Sequence, residues 1–209
     1  YAKILSSASV EAATLANNHS QDYGQTGYDD TIAALDAEGV QSFGYDRIAY
    51  LDVKGVKVAL IGSYFPEDSA ENTKEMTDNI AAARAEGAQL VIEYVHWGQE
   101  HEYDITEGQQ TAGRAAIDAG ADLVVGSHPH VVQGWEVYQG RYIVYSLGNF
   151  CFGGNTNPDD KDCLIFQQTF TVTGDTVEKE TMSVENIEQV VKTLLDEIQA
   201  NIFQKALKY

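Results

Sequence analysis

The chain has 209 residues, of which 44% are hydrophobic and 10% aromatic, as in an ordinary globular protein. This length is enough to bury a sizeable core, and we predict a single domain over residues 1–209. The 32 acidic and 13 basic residues give a formal net charge of −19, which argues against nucleic acid or an anionic membrane as a partner.

The chain opens at Tyr1 without a methionine, within a stretch that reads as a helix. No apolar run approaches the ~18 residues that a membrane span needs, and no basic start is followed by an apolar signal segment. We therefore expect a piece of a longer protein, with any signal or anchor outside this chain.

Helix-like and strand-like segments alternate along the chain. The first clear helix, "TGYDDTIAALDAEGV", has Thr26 as a candidate cap and Gly39 at its end. Further helices are predicted over 69–88, 106–121 and 185–207. The short apolar runs predicted as strands are 57–65, 88–98, 121–130, 141–150 and 163–174. Such alternation in one domain indicates a layered α/β fold.

Four of the five histidines follow an apolar segment or end one, namely His19, His96, His128 and His130. Ligands of open α/β sheets bind beyond the carboxyl ends of the strands. Three segments that deliver imidazoles to this edge favour a metal site, although each histidine alone is more often structural. The fifth, His101, lies in the charged stretch "QEHEYD", where a solvated surface position is the better interpretation.

Neutral imidazole suits Zn, Fe, Mn or Ni, and amide or carboxylate oxygens complete the shell of the harder ions. Asn18 is the candidate oxygen donor, and its neighbour His19 is the candidate proton donor to a leaving group. The alternative for "NNHS" is a polar turn that caps a helix. Glu100 is predicted to orient a ligand or contact substrate, whereas Trp97 fits either substrate contact or packing.

The two cysteines, Cys151 and Cys163, flank an insert rich in turn-forming residues. A disulfide and two free thiols are equally compatible with this spacing. The sequence contains no G-x-S-x-G elbow, no P-loop and no G-x-G-x-x-G after a strand.

Three stretches together resemble the bacterial CapA-like capsule-synthesis family, which is associated with poly-gamma-glutamate. They are "LANNHSQDYGQTGYDDTIAALDAEGV", "HWGQE" and "AIDAGADLVVGSHPHVVQGWEVYQGRYIVYSLGNFCF". The resemblance implies a calcineurin-like metallophosphatase fold, an α/β/β/α sandwich of two sheets between helices. It also implies that "NNH" and "GSHPH" stand in for that superfamily's metal motifs.

The resemblance implies a role for each matching residue. Asn18 corresponds to a metal-bridging asparagine and His19 to the proposed catalytic acid, while the implied histidine ligands are His96, His128 and His130. Ser146 and Asn149 lie in "SLGNF", a family hallmark, and are predicted to bind substrate together with Glu100 and Trp97.

Members of this family normally begin with a strand that ends in Gly-Asp, whereas "YAKILSSASV" is helix-like. We therefore expect one or more strands and at least one aspartate ligand to be missing from this chain. The predicted cofactor is a divalent metal (Mn, Fe or Zn), dinuclear in the intact protein and partial or absent here.

Two functions are compatible with these residues. The first is a metal-dependent hydrolase that acts on a phosphoester or a gamma-glutamyl polymer. The second is a non-catalytic, polymer-binding or assembly component of a capsule export system. Both imply a polyanionic or phosphorylated cell-envelope substrate, membrane components of capsule synthesis as partners, and an extracellular or cell-surface location. A homo-oligomer is left open.

Overall fold

The structure is a computed structural model that describes residues 1–150 and 157–178. These residues belong to one compact unit, Tyr1–Glu178. The helices are α1 Ala2–Ser7, α2 Gly24–Ala37, α3 Ala70–Ala85 and α4 Glu107–Ala119. The strands are β1 Ala12–Thr14, β2 Gln41–Phe43, β3 Ala49–Val53, β4 Val56–Tyr64, β5 Leu90–His96, β6 Leu123–Ser127, β7 Trp135–Tyr138, β8 Arg141–Val144, β9 Val172–Thr173 and β10 Thr176–Val177.

A six-stranded sheet in the order β3-β4-β5-β6-β8-β7 forms the centre of the unit. Strands β4, β5, β6 and β8 run parallel, and the edge strands β3 and β7 run antiparallel to their neighbours. Helix α3 connects β4 to β5, and α4 connects β5 to β6, as parallel neighbours require. The carboxyl ends of the four parallel strands therefore lie along one edge of the sheet.

Local signals explain where these two helices begin and end. Ser69 caps α3 by accepting a hydrogen bond from the Asn72 amide, at 3.1 Å. Thr106 and Gln109 form a reciprocal capping box at the start of α4. Gly120 ends α4 in the left-handed conformation, with φ 113°, which a glycine adopts without steric cost.

Helices α3 and α4 cover one face of the sheet and enclose the main core. From the strands this core contains Ile61, Val91, Val95 and Ile143, and from α3 it contains Met76 and Ile80, all at 0% exposure. We call this side of the sheet the helix face.

Shorter elements cover the opposite face of the sheet, which we call the open face. They are the parallel pair β1-β2 and the β9-β10 hairpin. Phe170 and Val172 pack against apolar side chains of β3, β4 and β5, and the Phe166 ring lies 5.7 Å from that of Tyr142 on β8. Several sheet residues on this face remain partly exposed, including Leu60, Ile92, Tyr94 and His96.

Most predicted elements are confirmed, but strands β1, β2, β3, β7 and β10 were not predicted, and several bounds differ. Helix α2 begins at Gly24 after Tyr23, which makes no side-chain cap, so Thr26 lies inside the helix and is not its cap. The strand predicted over 141–150 ends at Val144. Within 163–174 only Val172–Thr173 belongs to a sheet. The stretch around "YAKILSSASV" forms α1, as expected.

Two predictions lie partly or wholly outside the described residues. The helix predicted over 185–207 is one of them. Cys151 is the other, so its pairing with Cys163, which is exposed, stays open. Among the helices that the structure describes, none is both long and apolar enough to cross a lipid bilayer.

Candidate functional site

The carboxyl edge of the sheet brings together histidines from two neighbouring strands. His96 is the last residue of β5 and pairs in register with Ser127, the last residue of β6. His128 and His130 follow directly. The turn after β1 brings Asn18 to the same place, so the side chains of residues 78 positions apart are in contact.

The His96 ring is held between two polar partners. Its Nε2 atom lies 3.0 Å from the Asn18 Oδ1 atom, and its Nδ1 atom lies 3.3 Å from the Ser127 hydroxyl. The Ser127 hydroxyl in turn donates to the Val95 carbonyl, at 3.4 Å. With that proton on serine, His96 donates through Nδ1 and directs the lone pair of Nε2 at the Asn18 oxygen. In this tautomer two lone pairs face each other, an arrangement that suits a bound cation. In the other tautomer Nε2 carries the proton and donates a hydrogen bond directly to the Asn18 oxygen.

The His128 ring packs beside that of His96, with 4.5 Å between the centroids, and the His130 ring lies 6.2 Å from His128. The Nδ1 atom of His128 is buried without a hydrogen-bond partner among the described residues. Both residues have positive φ angles, 102° at His128 and 58° at His130. Non-glycine residues rarely adopt this conformation, and it concentrates at functional sites.

Burial keeps the imidazoles of His96 and His128 neutral, which is the form that binds metal. Burial is the largest cause that lowers the pKa of His96 to about 3, with smaller contributions from His128, His130 and His19. The pKa of His128 is also lowered, chiefly by burial, while the nearby Glu100 carboxylate opposes the shift. The same interactions place His19 and Glu100 close enough to the cluster to influence its charge.

The "SLGN" stretch holds the His128–His130 loop in place. Asn149 accepts from the Nδ1–H of His130 at 2.8 Å and donates its amide to the His130 carbonyl at 2.8 Å. This contact fixes the His130 tautomer, with the proton on Nδ1 and the lone pair on Nε2. Ser146 is fully buried and donates to the Val131 carbonyl at 2.7 Å. Both residues thus hold the loop in position, and the substrate contact predicted for them stays a prediction.

Trp97 lies in the core under the site. It is 0% exposed, its indole N–H donates to the Tyr145 carbonyl at 2.8 Å, and its ring stacks on the Tyr145 ring. It belongs to the helix face, because it follows Val95 with the two-residue period of a strand. Of the two sequence interpretations, the 0% exposure of Trp97 therefore supports packing.

His19 and Glu100 lie at the exposed rim of the cluster. The His19 side chain is 72% exposed, and its Nδ1 atom lies 2.9 Å from the Asp22 carboxylate. This pairing leaves Nε2 as the ring atom available to donate a proton outward. Glu100 is also exposed, in the loop that follows β5.

Sequence reasoning missed a fifth imidazole near the site. The His101 ring is exposed, as predicted, but it stacks on His130 with 6.3 Å between the centroids. Its amide donates to the Pro129 carbonyl at 2.8 Å, which joins the two histidine-bearing loops. The signal that could have found it is its position five residues after His96, in the loop that leaves the same strand.

The donor set fits a cation in its chemistry and is incomplete in its geometry. Neutral imidazoles, an orphaned buried nitrogen on His128 and the facing Asn18 oxygen all suit a divalent transition metal. Within residues 1–150 and 157–178, however, no three His, Cys, Asp or Glu side chains are arranged so that together they could hold an ion. A site built from these residues needs rearrangement or further ligands.

The sequence matches one family of known proteins over most of its length. The family model described as "Bacterial capsule synthesis protein PGA_cap" matches residues 1–154. The chain belongs to this family. The stretches that build the candidate site, "NNH", "HWGQE", "GSHPH" and "SLGN", all lie inside the matched range.

Several curated relatives are similar over most of this chain. The PGA biosynthesis protein CapA of Bacillus subtilis is 35% identical over 169 residues, which cover 72% of this chain and 44% of that protein. The capsule biosynthesis protein CapA of Bacillus anthracis is 34% identical and covers 72% and 42%. A probable polyglutamine synthesis accessory protein of Mycobacterium tuberculosis is 29% identical and covers 65% and 43%. The chain thus spans less than half the length of these relatives.

A crystal structure of a hypothetical protein from Thermus thermophilus is similar in fold. The TM-score is 0.52 at 18% identity, over 70% of this chain and 56% of that one. With the mixed six-stranded sheet and its covering helices, this confirms the layered α/β class predicted from the sequence.

Proposed function

We propose that this chain contributes a metal-dependent hydrolytic site to capsule or poly-gamma-glutamate biosynthesis. The observation that supports it best is the contact of three segments far apart in sequence at one edge of the sheet. There the neutral His96 ring contacts both Asn18 and His128. The names of the relatives, CapA and PGA biosynthesis protein, supply the biological setting.

In this proposal Asn18, His96, His128 and His130 hold a divalent metal, Mn, Fe or Zn. The site is dinuclear once further ligands complete it. A metal of this kind polarises a phosphoryl or carbonyl oxygen and lowers the pKa of a bound water. The neutral state of His96 and His128 suits this role, because a protonated imidazole has no lone pair to offer.

In this proposal the remaining residues supply a proton to the leaving group or orient the groups of the site. Asp22 accepts the Nδ1–H of His19 and orients the ring, so that Nε2 is the atom that passes a proton to the leaving group. Glu100 lies near His128 and orients a ligand or the substrate. Asn149 keeps the proton of His130 on Nδ1 and its lone pair on Nε2.

The proposed substrate is a polyanionic or phosphorylated polymer of the cell envelope, with a phosphoester or gamma-glutamyl bond to be cleaved. The formal charge of −19 repels such a polymer over most of the surface, so bound metal must supply the local attraction. We place the protein at the cell surface, together with membrane components of capsule synthesis.

One observation favours a second candidate function, a non-catalytic polymer-binding or assembly role. Within the described part of the chain, no three ligating side chains of the His, Cys, Asp or Glu type surround a common point. The mycobacterial relative is itself called an accessory protein. The same fold would then present the polymer without cleaving it.

Metal titration separates metal binding from a purely structural role for these histidines. We expect Mn²⁺ or Zn²⁺ to bind the wild-type chain in calorimetry, and His96→Ala and His128→Ala to weaken binding at least tenfold. Tyr1→Ala is the control, because it removes a fully exposed aromatic ring outside the predicted ligand set. Equal affinity in all four proteins would overturn the metal site.

Assays of substrate hydrolysis then distinguish the hydrolase from the non-catalytic binding or assembly role. Phosphomonoester, phosphodiester and gamma-glutamyl substrates are assayed with and without Mn²⁺, with His19→Ala as the variant that keeps the metal ligands. Metal-dependent hydrolysis that falls at least tenfold in His19→Ala supports the hydrolase. Tight polymer binding without turnover in the metal-loaded protein supports the second candidate instead.

A further inference from the structure

Residues 164–171 lie outside the sheets that the structure describes, between Cys163 and β9. Burial alternates along this segment with a period of two, as in a strand that lies on an apolar surface. The side chains turned toward the protein are Leu164, Phe166, Gln168, Phe170 and Val172, whereas those exposed to solvent are Ile165, Gln167, Thr169, Thr171 and Thr173. We call residues 165–170 the unpaired strand.

The backbone of the unpaired strand makes no hydrogen bonds to the residues that the structure describes. Its flanks are fixed: the Leu164 amide donates to the Leu147 carbonyl at 2.8 Å, and Val172–Thr173 pairs with Thr176–Val177. Between these two points, the N–H and C=O groups of six residues have no partner within residues 1–150 and 157–178. Such a row is a template for another strand.

The amino-acid composition of the unpaired strand offers no protection against such pairing. Residues 163–174, "CLIFQQTFTVTG", contain no charged residue and no proline, in a chain where 22% of residues are charged. Natural proteins protect an exposed edge with lysines, prolines or bulges. The run is instead rich in threonine, phenylalanine, valine and isoleucine, which favour sheets. A strand edge of this composition favours hydrogen bonding to another strand.

We propose that the unpaired strand pairs antiparallel with the same strand of a second copy of this chain. A two-fold axis through Gln168 places Phe166 opposite Phe170 and Leu164 opposite Val172. On the solvent side Ile165 lies opposite Thr171, and Gln167 lies opposite Thr169. Aromatic and β-branched cross-strand pairs of these kinds stabilise an antiparallel ladder, and no charges of the same sign face each other.

The charge of the chain explains why the pairing is confined to this strand. Two copies with a formal charge of −19 each repel one another over most of their surfaces. The uncharged strand is the place where they can approach, and at 0.15 M salt the repulsion between more distant charges is screened beyond ~8 Å. The dimer should therefore strengthen as the salt concentration rises, whereas a dimer held by ion pairs should weaken.

Sedimentation of the full 209-residue chain over a range of concentrations and NaCl levels tests this inference. We expect a monomer–dimer equilibrium that shifts toward dimer with salt. Thr169→Lys adds a charge to the strand without disturbing its buried side and should weaken the dimer at least tenfold. Thr31→Lys, at an exposed position of α2, makes the same change in charge elsewhere and should leave the dimer intact.

Hydrogen exchange identifies the strand directly. Amides of residues 165–170 should gain protection as the concentration of wild-type chain rises, and those of Thr169→Lys should not. A wild-type chain that stays monomeric at all concentrations and salt levels overturns the inference. So does a dimer that survives Thr169→Lys, growth beyond a dimer, or protection that does not depend on concentration.

Discussion

The two faces of the central sheet differ in how completely they are covered, although the same strands form both. On the helix face, Ile61, Val91 and Val95 are 0% exposed beneath α3 and α4. On the open face of the same strands, Leu60, Ile92 and Tyr94 remain partly exposed. The candidate site lies at the edge of the open face, because a ligand can reach side chains only where covering elements leave room.

Adjacent residues at the end of β5 show this division most clearly. Val95 and Trp97 point into the helix face, and His96 between them points to the open face. A well-packed side therefore supports the backbone from which His96, a proposed ligand, projects. This arrangement fixes the position of His96 while leaving its ring accessible.

The largest expected effect compares two isoleucines on adjacent strands. Ile61→Ala should destabilise the fold by ~2–5 kcal/mol, because it opens a cavity among fully buried neighbours. Ile92→Ala makes the same chemical change on the open face and should cost about half of that or less, since its side chain is already partly in water. Urea denaturation of both variants measures the difference, and equal costs would mean that the two faces are equally packed.

Removing a positioning residue of the open face should affect ligand binding more than stability. Asn149→Ala releases the His130 ring from its fixed orientation and should weaken Mn²⁺ or Zn²⁺ binding about 10–100-fold. The control Asn79→Ala changes the same residue type on α3, away from the site, and should leave metal affinity unchanged. Calorimetric titration measures both. A loss of affinity equal in the two variants would contradict the positioning role of Asn149.

Glu93 is the one acidic side chain buried at 0% exposure among the described residues, and the polar side chain beside it is that of Ser63. Burial raises its pKa well above 4.5, so the folded protein favours the neutral acid. The contribution of Glu93 to the free energy of unfolding is therefore fully present below pH 4.5, and it is lost as the pH rises through the pKa of the folded protein. Glu93→Gln should stabilise the protein by ~1–2 kcal/mol at neutral pH.

Unfolding free energies at about pH 4.5 and about pH 8 check this sign. The advantage of Glu93→Gln over the wild type should grow between the two pH values. Glu75→Gln, at an exposed position of α3, should show no such growth. An advantage that does not change with pH would mean that Glu93 is not held neutral in the fold.

The smallest effect concerns the capping box that begins α4. Thr106→Ala removes the hydroxyl that accepts from the Gln109 amide at 3.0 Å and should cost ~1 kcal/mol. Thr111→Ala, on the exposed side of the same helix, should be neutral or slightly stabilising, because alanine is the better helix former. Thermal unfolding of the pair measures the difference, and similar costs for both variants would argue against the cap.

Sequence patterns predicted the elements that repeat locally and missed contacts that depend on the fold. The capped helix α4 and the apolar strand β5 could be recognised because caps and runs of apolar residues are local signals. The end of β8 could not, because the regular ladder stops at Val144 although the Tyr145 and Leu147 amides still donate to Gly134 and to Gly126 of β6. A run of apolar residues does not reveal which backbone it will pair with.

The candidate site was predictable in its histidines and less so in its supporting residues. The spacing of His96, His128 and His130 after strands indicated the cluster. The two-residue period from Val95 already placed Trp97 on the opposite face from His96, and this could have excluded it from substrate contact. The roles of Asn149 and His101 could not be read in the same way, since they depend on how two loops meet.

The contact between Asn18 and His96 has a consequence for the order of events in folding. It joins residues 78 positions apart, whereas α3 and α4 form from neighbouring residues. Contacts of such separation require the closure of a long loop, and they accumulate slowly compared with helix formation. A refolding chain would therefore regain its helical signal before it regains a contact between these two side chains. Metal affinity would appear last, as a reporter of the completed native state.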